Sequence, residues 1–142
     1  MKQCEGPSGK AHVLRLMPGD DVRPALERWC EERAIEAAGI VSAVGSLRSA
    51  HLRYAGRADG IITDGDLEVC ALSGTLSRHG MHLHGIIADR DGRTIGGHLL
   101  GGCIVRTTLE LIVLEVDNVR MLRSKDPDTT YDELDPRPLG ER

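Results

Sequence analysis

The sequence predicts an α+β domain: a central, largely antiparallel sheet with one main covering helix. Three observations predict it. Only one segment carries a helical spacing of apolar residues, most other apolar runs are short or alternate as strands do, and hairpin-type turns join many of them. A length of 142 residues suits a single domain with one core. The hydrophobic share of 40% and charged share of 28% exclude the disordered and fibrous classes. With no Phe, one Trp and two Tyr, the core must be built from Leu, Ile, Val, Ala and Met.

The first element is a strand at 11–17, ended by the turn pair Pro18-Gly19. A helix follows, with Asp20 or Asp21 as its cap and Pro24 in the first turn, where no intrahelical N–H bond is needed. Val22, Leu26, Trp29 and Cys30 share one face, and Arg23, Glu27, Arg28, Glu31 and Glu32 make the solvated one. The runs 40–47 and 51–54 read as two strands joined near Gly45-Ser46. Residues 56–65 read as a loop closing on the hairpin signal Asp64-Gly65, before a strand at 67–73. A histidine-bearing strand at 81–88 turns through Asp89-Arg90-Asp91-Gly92 into a return strand ending at His98. Strands at 104–116 and 119–123 follow. Residues 124–142, with three prolines and few large apolar groups, read as a surface-hugging tail. The expected organisation is a flexible N-terminus at 1–10, a domain at 11–134 and a C-terminal tail at 135–142, with no internal repeat.

Composition narrows the function. A net charge of −4 argues against a bare domain that grips DNA through its phosphates, and the shortage of aromatics argues against a stacking platform for single strands. Cys4, Cys30, Cys70 and Cys103 form no C-x-x-C pair and lie mostly in apolar context, which reads as reduced core thiols. The first residues lack the apolar run of a signal peptide, and no stretch approaches the ~20 apolar residues of a membrane helix. The expected compartment is the cytoplasm, with no membrane partner.

The chemistry concentrates in the histidine hairpin. Side chains alternate across a strand, so His82 and His84 share a face while Leu83 points into the core. A three-residue loop, Arg90-Asp91-Gly92, with Gly92 left-handed, pairs Asp89 with Arg93. Counting back along both strands then sets His84 opposite His98; a bulge at Gly96-Gly97 would shift the register by one. Three imidazoles can thus converge on one divalent ion. Zinc suits them best, and nickel, cobalt or iron would also be held. With no thiolate or carboxylate nearby in sequence, the fourth position falls to water, an external small ligand or a distant side chain, as in catalytic rather than structural zinc.

The plainer reading is that H-x-H on a half-exposed strand is ordinary hydrogen-bonding surface; the third histidine on the return strand favours the metal. His79 is an extra ligand candidate whose loop position favours exposure, and His12 and His51 read as structural. Glu68 and Glu110, each inside a β run, are weak candidates for a general base beside a metal-bound water, and more often such residues face solvent or pair with an arginine such as Arg106. No G-x-S-x-G elbow and no phosphate loop are present.

Taken in order, Pro18-Gly19-Asp20-Asp21, Ala43-Val44-Gly45-Ser46-Leu47, Leu67-Glu68-Val69, Leu72-Ser73-Gly74-Thr75, His82-Leu83-His84, Asp89-Arg90-Asp91-Gly92, Gly96-Gly97-His98-Leu99 and Thr107-Thr108-Leu109-Glu110 form a specific set. The chain resembles the plants-and-prokaryotes-conserved domain (PPC, also PCC), from about Val13 to Leu134. That resemblance implies an α+β subunit assembled as a homotrimer, with prokaryotic members described as DNA-binding and some as metal-binding through the histidines corresponding to His82, His84 and His98. The AT-hook of the plant proteins, an Arg-Gly-Arg core, is absent here. Trimerisation also suits a sheet whose second apolar face would otherwise be uncovered. The expected function is a homotrimeric, zinc-binding regulatory or binding module with a DNA association, leaning away from an enzyme. The alternative is a metal-dependent hydrolase or lyase acting on a small polar molecule.

Overall fold

The computed structural model describes residues 1–140. Its elements are β1 (Ser8–Leu16), α1 (Val22–Glu32), β2 (Ala38–Arg53), β3 (Ile61–Ser77), β4 (Gly80–Ala88), β5 (Thr94–Leu99), β6 (Ile104–Val116), β7 (Val119–Lys125) and β8 (Asp132–Pro138). The first six strands form one antiparallel sheet in the order β1-β6-β2-β3-β4-β5, and β7 and β8 form a separate hairpin. One helix against this sheet is the α+β architecture expected from the pattern.

The sheet also closes on itself. β6 pairs with β2 as far as Ser49, and β5 takes over at the far end of β2, through Leu52 opposite Leu99 and Arg53 opposite His98. That closure rolls β2, β3, β4 and β5 around a common core of Leu47, Leu52, Leu67, Leu72, Leu83 and Leu99. Val22, Leu26 and Cys30 of α1 are buried in the same cluster, on the face the sequence assigned to them. Asp21 is the N-cap residue, but its side chain makes no cap hydrogen bond; its Oδ2 instead accepts from the Gly102 N–H at 2.7 Å, tying the helix start to the β5–β6 turn.

Several local expectations are corrected. Residues 40–47 and 51–54 are one strand: Gly45 lies close against the Thr108 backbone of β6, and pairing with β3 continues through Gly45, Ser46 and Leu47. Register shifts against β6 between Gly45 and Leu47 and between Leu47 and Ser49 absorb the irregularity. Asp64-Gly65 is no turn: it lies within β3, and the chain reverses before Ile61. The segment read as a tail carries β8, paired with β7 from Asp132 to Pro138. Hydrophobicity gave no hint of it, since its anchor is polar: buried Asp135 accepts from Arg137 and Lys2 at 3.0 and 3.1 Å. Of the four free thiols, Cys30 and Cys103 are buried, whereas Cys70 faces outward. Burial pushes the Cys30 thiol up to about 12 and the Cys103 thiol up to about 11, so both are inert near neutrality. Among the described residues, no helix is long and apolar enough to cross a membrane.

Candidate metal centre

The β4–β5 hairpin has the geometry its sequence demands. Gly92 adopts φ 78°, the Asp89 N–H donates to the Arg93 carbonyl at 2.9 Å, and the Gly92 N–H donates back to the Asp89 carbonyl at 2.9 Å. The Asp89 carboxylate fastens the loop further by accepting from the N–H groups of Asp91 and Arg93, each at 2.9 Å. The register runs unbroken from Ala88 opposite Thr94 to His84 opposite His98, with no bulge at the glycine pair. Met81, Leu83, Gly85 and Ile87 are buried, and His82 and His84 emerge on the outer face.

The three rings meet there. His82 and His84 are 4.8 Å apart between ring centroids, His82 and His98 5.0 Å, and His84 and His98 5.6 Å. One nitrogen from each lies within 4.8 Å of the others. A tetrahedral ion with ~2.0 to 2.1 Å bonds separates its ligand nitrogens by about 3.3 Å. His82 Nε2 and His84 Nε2, at 3.0 Å, are already near that spacing, and a small ring rotation brings in the third. His98 Nδ1 is buried and has no hydrogen-bond partner, an unmet demand that a metal bond or its neighbouring chemistry would satisfy. The donor set therefore fits a divalent ion of the zinc type.

Burial and neighbouring charge favour the neutral form of His82 and His98, the form in which imidazole ligates. Burial first, and then the charges of His82, Arg53, His84 and Arg23, push His98 down to about 4. His82 is lowered as well, by burial and then by His84, Arg123 and Arg23, against a smaller opposing pull from Glu133.

The other histidines are engaged elsewhere. His79 is half-buried rather than exposed, and its Nε2 meets Glu36 Oε2 at 2.9 Å. His51 Nδ1 contacts the Gly101 carbonyl at 2.8 Å. His12 pairs with Glu115 and sets its ring edge-on to Trp29 at 5.1 Å. Glu68 is on the outer face but opposite Ala88, four residues along β4 from His84, or about 13 Å at ~3.3 Å per residue. Glu110 pairs with Val44 of β2, three strands from β4, or about 14 Å at ~4.8 Å per strand. Within one subunit neither carboxylate reaches the histidines. Arg106, the arginine named as a partner for such a carboxylate, pairs with Asp66 at 3.1 Å.

Sequence reasoning missed the arginines around the cluster. Arg53 is brought beside His98 by the closing β2–β5 pair. Arg123 of β7 donates from Nη2 to Thr75 Oγ1 at 2.9 Å, and Thr75 lies opposite His82. Only long-range pairing places either residue, so no local pattern announced them.

A rolled antiparallel sheet carrying one helix, with three imidazoles gathered on its outer face, defines a class of small α+β domain. The chain belongs to the Plants and Prokaryotes Conserved (PCC) domain family, whose model matches residues 3–117. It is 43% identical to the bifunctional protein GlmU of a Synechococcus strain over 130 residues, and 26% identical to the AT-hook motif nuclear-localized protein 8 of Arabidopsis thaliana over 111. Those alignments take 90% and 72% of this chain, but the chain spans only 21% and 28% of the relatives' own lengths. Among solved structures, a hypothetical protein from Salmonella matches with TM-score 0.92 at 36% identity, covering 95% of this chain and 97% of that one. A metal-containing protein from Archaeoglobus fulgidus matches with TM-score 0.80 at 31% identity, covering 94% of this chain and 99% of that one. A protein from Ralstonia eutropha described as a candidate DNA-binding protein matches with TM-score 0.73 at 26% identity, covering 92% and 93%.

Proposed function

We propose that this chain is a metal-binding PCC-domain module that works as a homotrimer in a DNA-associated regulatory or binding role, with zinc at His82, His84 and His98. The observation that carries the reading is the convergence of three imidazoles, one with an unpartnered buried nitrogen, on the face of the sheet. The metal-containing Archaeoglobus relative supports the ion. Family membership and the Ralstonia relative support the DNA association, and a net charge of −4 argues against a grip on phosphates by this domain alone.

Self-association is supported by an uncovered apolar face. Val13 is 82% exposed and lies opposite the outward-facing Ile112, and Val41 and Val44 add to the patch from β2. A patch of this kind on adjacent strands is the usual mark of an interface. The hydrolase or lyase alternative draws less support, because within one chain Glu68 and Glu110 stand away from the histidines. The experiment is metal content and solution mass of the purified protein together: about one zinc per chain in a particle of three chains supports the reading. A metal-free monomer that takes up no added zinc would overturn it.

A further inference from the structure

His82 and His98 of the cluster border an open pocket of about 610 Å³, a volume suited to a small molecule. Its basic walls are Arg23, Arg53 and Arg123, and its acidic ones are Asp132 and Glu133. The arginines differ in how they are held. Arg23 Nε pairs with Glu27 at 2.9 Å. Among the described residues Arg53 and Arg123 have no ion-pair partner: Arg53 reaches only the Arg57 carbonyl at 3.5 Å, and Arg123 only Thr75. Glu133 is tied to Thr129, whose Oγ1 donates to its Oε1 at 3.0 Å.

Position matters as much as charge. Arg53 stands beside His98 on one flank of the histidine cluster, and Arg123, held on Thr75, stands beside His82 on the other. Two unpaired guanidinium groups next to a site for a divalent cation repel that cation, and the repulsion vanishes if an anion joins them. Guanidinium forks recognise carboxylate and phosphate oxygens bidentately, and a three-histidine ion leaves a position for an oxygen donor.

We propose that this pocket binds a small organic anion, a carboxylate or phosphate, with its charged group between Arg53 and Arg123 and a second oxygen on the metal's open position. The metal contact rests on the function proposed above; the arginine contact does not. The carboxylates Asp132 and Glu133 among the pocket's lining favour a free small molecule over the polyanionic backbone of a nucleic acid.

The test is calorimetric titration of 2-phosphoglycolate, which carries both anionic groups, into metal-free and Co²⁺-loaded protein, with neutral glycolamide as control. The Co²⁺ form should bind it at least tenfold tighter than the metal-free form and change its visible absorption. Arg53→Gln and Arg123→Gln should each weaken that binding about tenfold or more without lowering Co²⁺ affinity, and Arg53→Lys should retain part of it. His84→Ala should lose the ion and keep the weaker binding of the metal-free protein. Melting curves of each variant separate lost contacts from lost folding, and inorganic phosphate competing in the unmodified protein gives a reading that needs no variant. Binding of Co²⁺ without any anion affinity, anion binding unaffected by either arginine, equal binding of glycolamide, or preferential displacement by a short DNA duplex would each overturn the proposal. Anion binding without Co²⁺ uptake would retain the arginine site and remove only the metal reading.

Discussion

His84 lies directly across the β4–β5 pair from His98, with their ring centroids 5.6 Å apart. The relationship depends on a single short loop: Gly92 in its left-handed conformation pairs Asp89 with Arg93, and alternation along both strands does the rest. His84→Ala removes one of three ligands from a site that has no spare. Apparent zinc affinity should fall by 100-fold or more with little change in the metal-free fold, since the side chain is exposed. Competition titration against a chromophoric chelator, paired with a melting curve of the metal-free variant, checks both halves.

Acid should act on the fold through His98. An unfolded histidine takes up its proton near 6.5, whereas His98 in the folded chain resists protonation down to about 4. Between those values the unfolded chain holds more protons, so acid favours unfolding. The stability that neutral His98 supplies is therefore complete above about pH 6.5 and drains away as the pH falls toward 4. Urea midpoints of metal-free protein between pH 7 and 4 should decline, and His98→Gln should decline less steeply. Equal slopes would show that His98 is not the group responsible.

Glu36 is a structural node that no sequence pattern revealed. Arg78, His79 and Arg120 all converge on its carboxylate, fixing the β3–β4 turn and β7 to the chain after α1. Burial alone would raise this carboxyl, but the hydrogen bond from His79 and the charges of Arg78, His79 and Arg120 hold it below its ordinary range. Its contribution is thus present above the usual carboxylate range and is lost as the pH falls through the lower, folded-state value. Glu36→Gln should cost about 1 to 3 kcal/mol at pH 7 and flatten the acid limb of the stability profile. Chemical denaturation of both proteins at pH 7 and pH 3 measures the difference.

Gly97 shows why the histidine hairpin was legible while its surroundings were not. A Cβ there would come within 2.7 Å of the Arg53 carbonyl, which crosses close by where β2 and β5 pair. Gly97→Ala should pry that closure apart, lowering stability by about 2 kcal/mol or more and separating Arg53 from His98. A glycine leaves room for a second backbone, and turn chemistry with period-2 alternation fixes which histidines share a face. What local pattern does not contain is which distant strand fills that room. Hence Arg53 and Arg123 went unseen, and residues 40–54 read as two strands when pairing with β6 and β5 in succession makes them one. β8 escaped for a related reason: a polar anchor at Asp135 replaces the apolar alternation by which strands are recognised.

The apolar outer face offers the sharpest test of assembly. Val44 is 58% exposed on β2, near the Val13 and Ile112 pair of β1 and β6, and it takes no part in the core. A charge there costs the isolated subunit little, because the position is already in water and the like charge of Glu110 opposite it on β6 adds at most about 1 kcal/mol. In a face buried between copies, the same charge would be desolvated with no counter-ion and would oppose assembly strongly. Val44→Asp should therefore lower the mass in solution from three chains to one while the far-UV spectrum is retained. If scattering gives the unmodified mass for the variant, this face is not where the subunits meet.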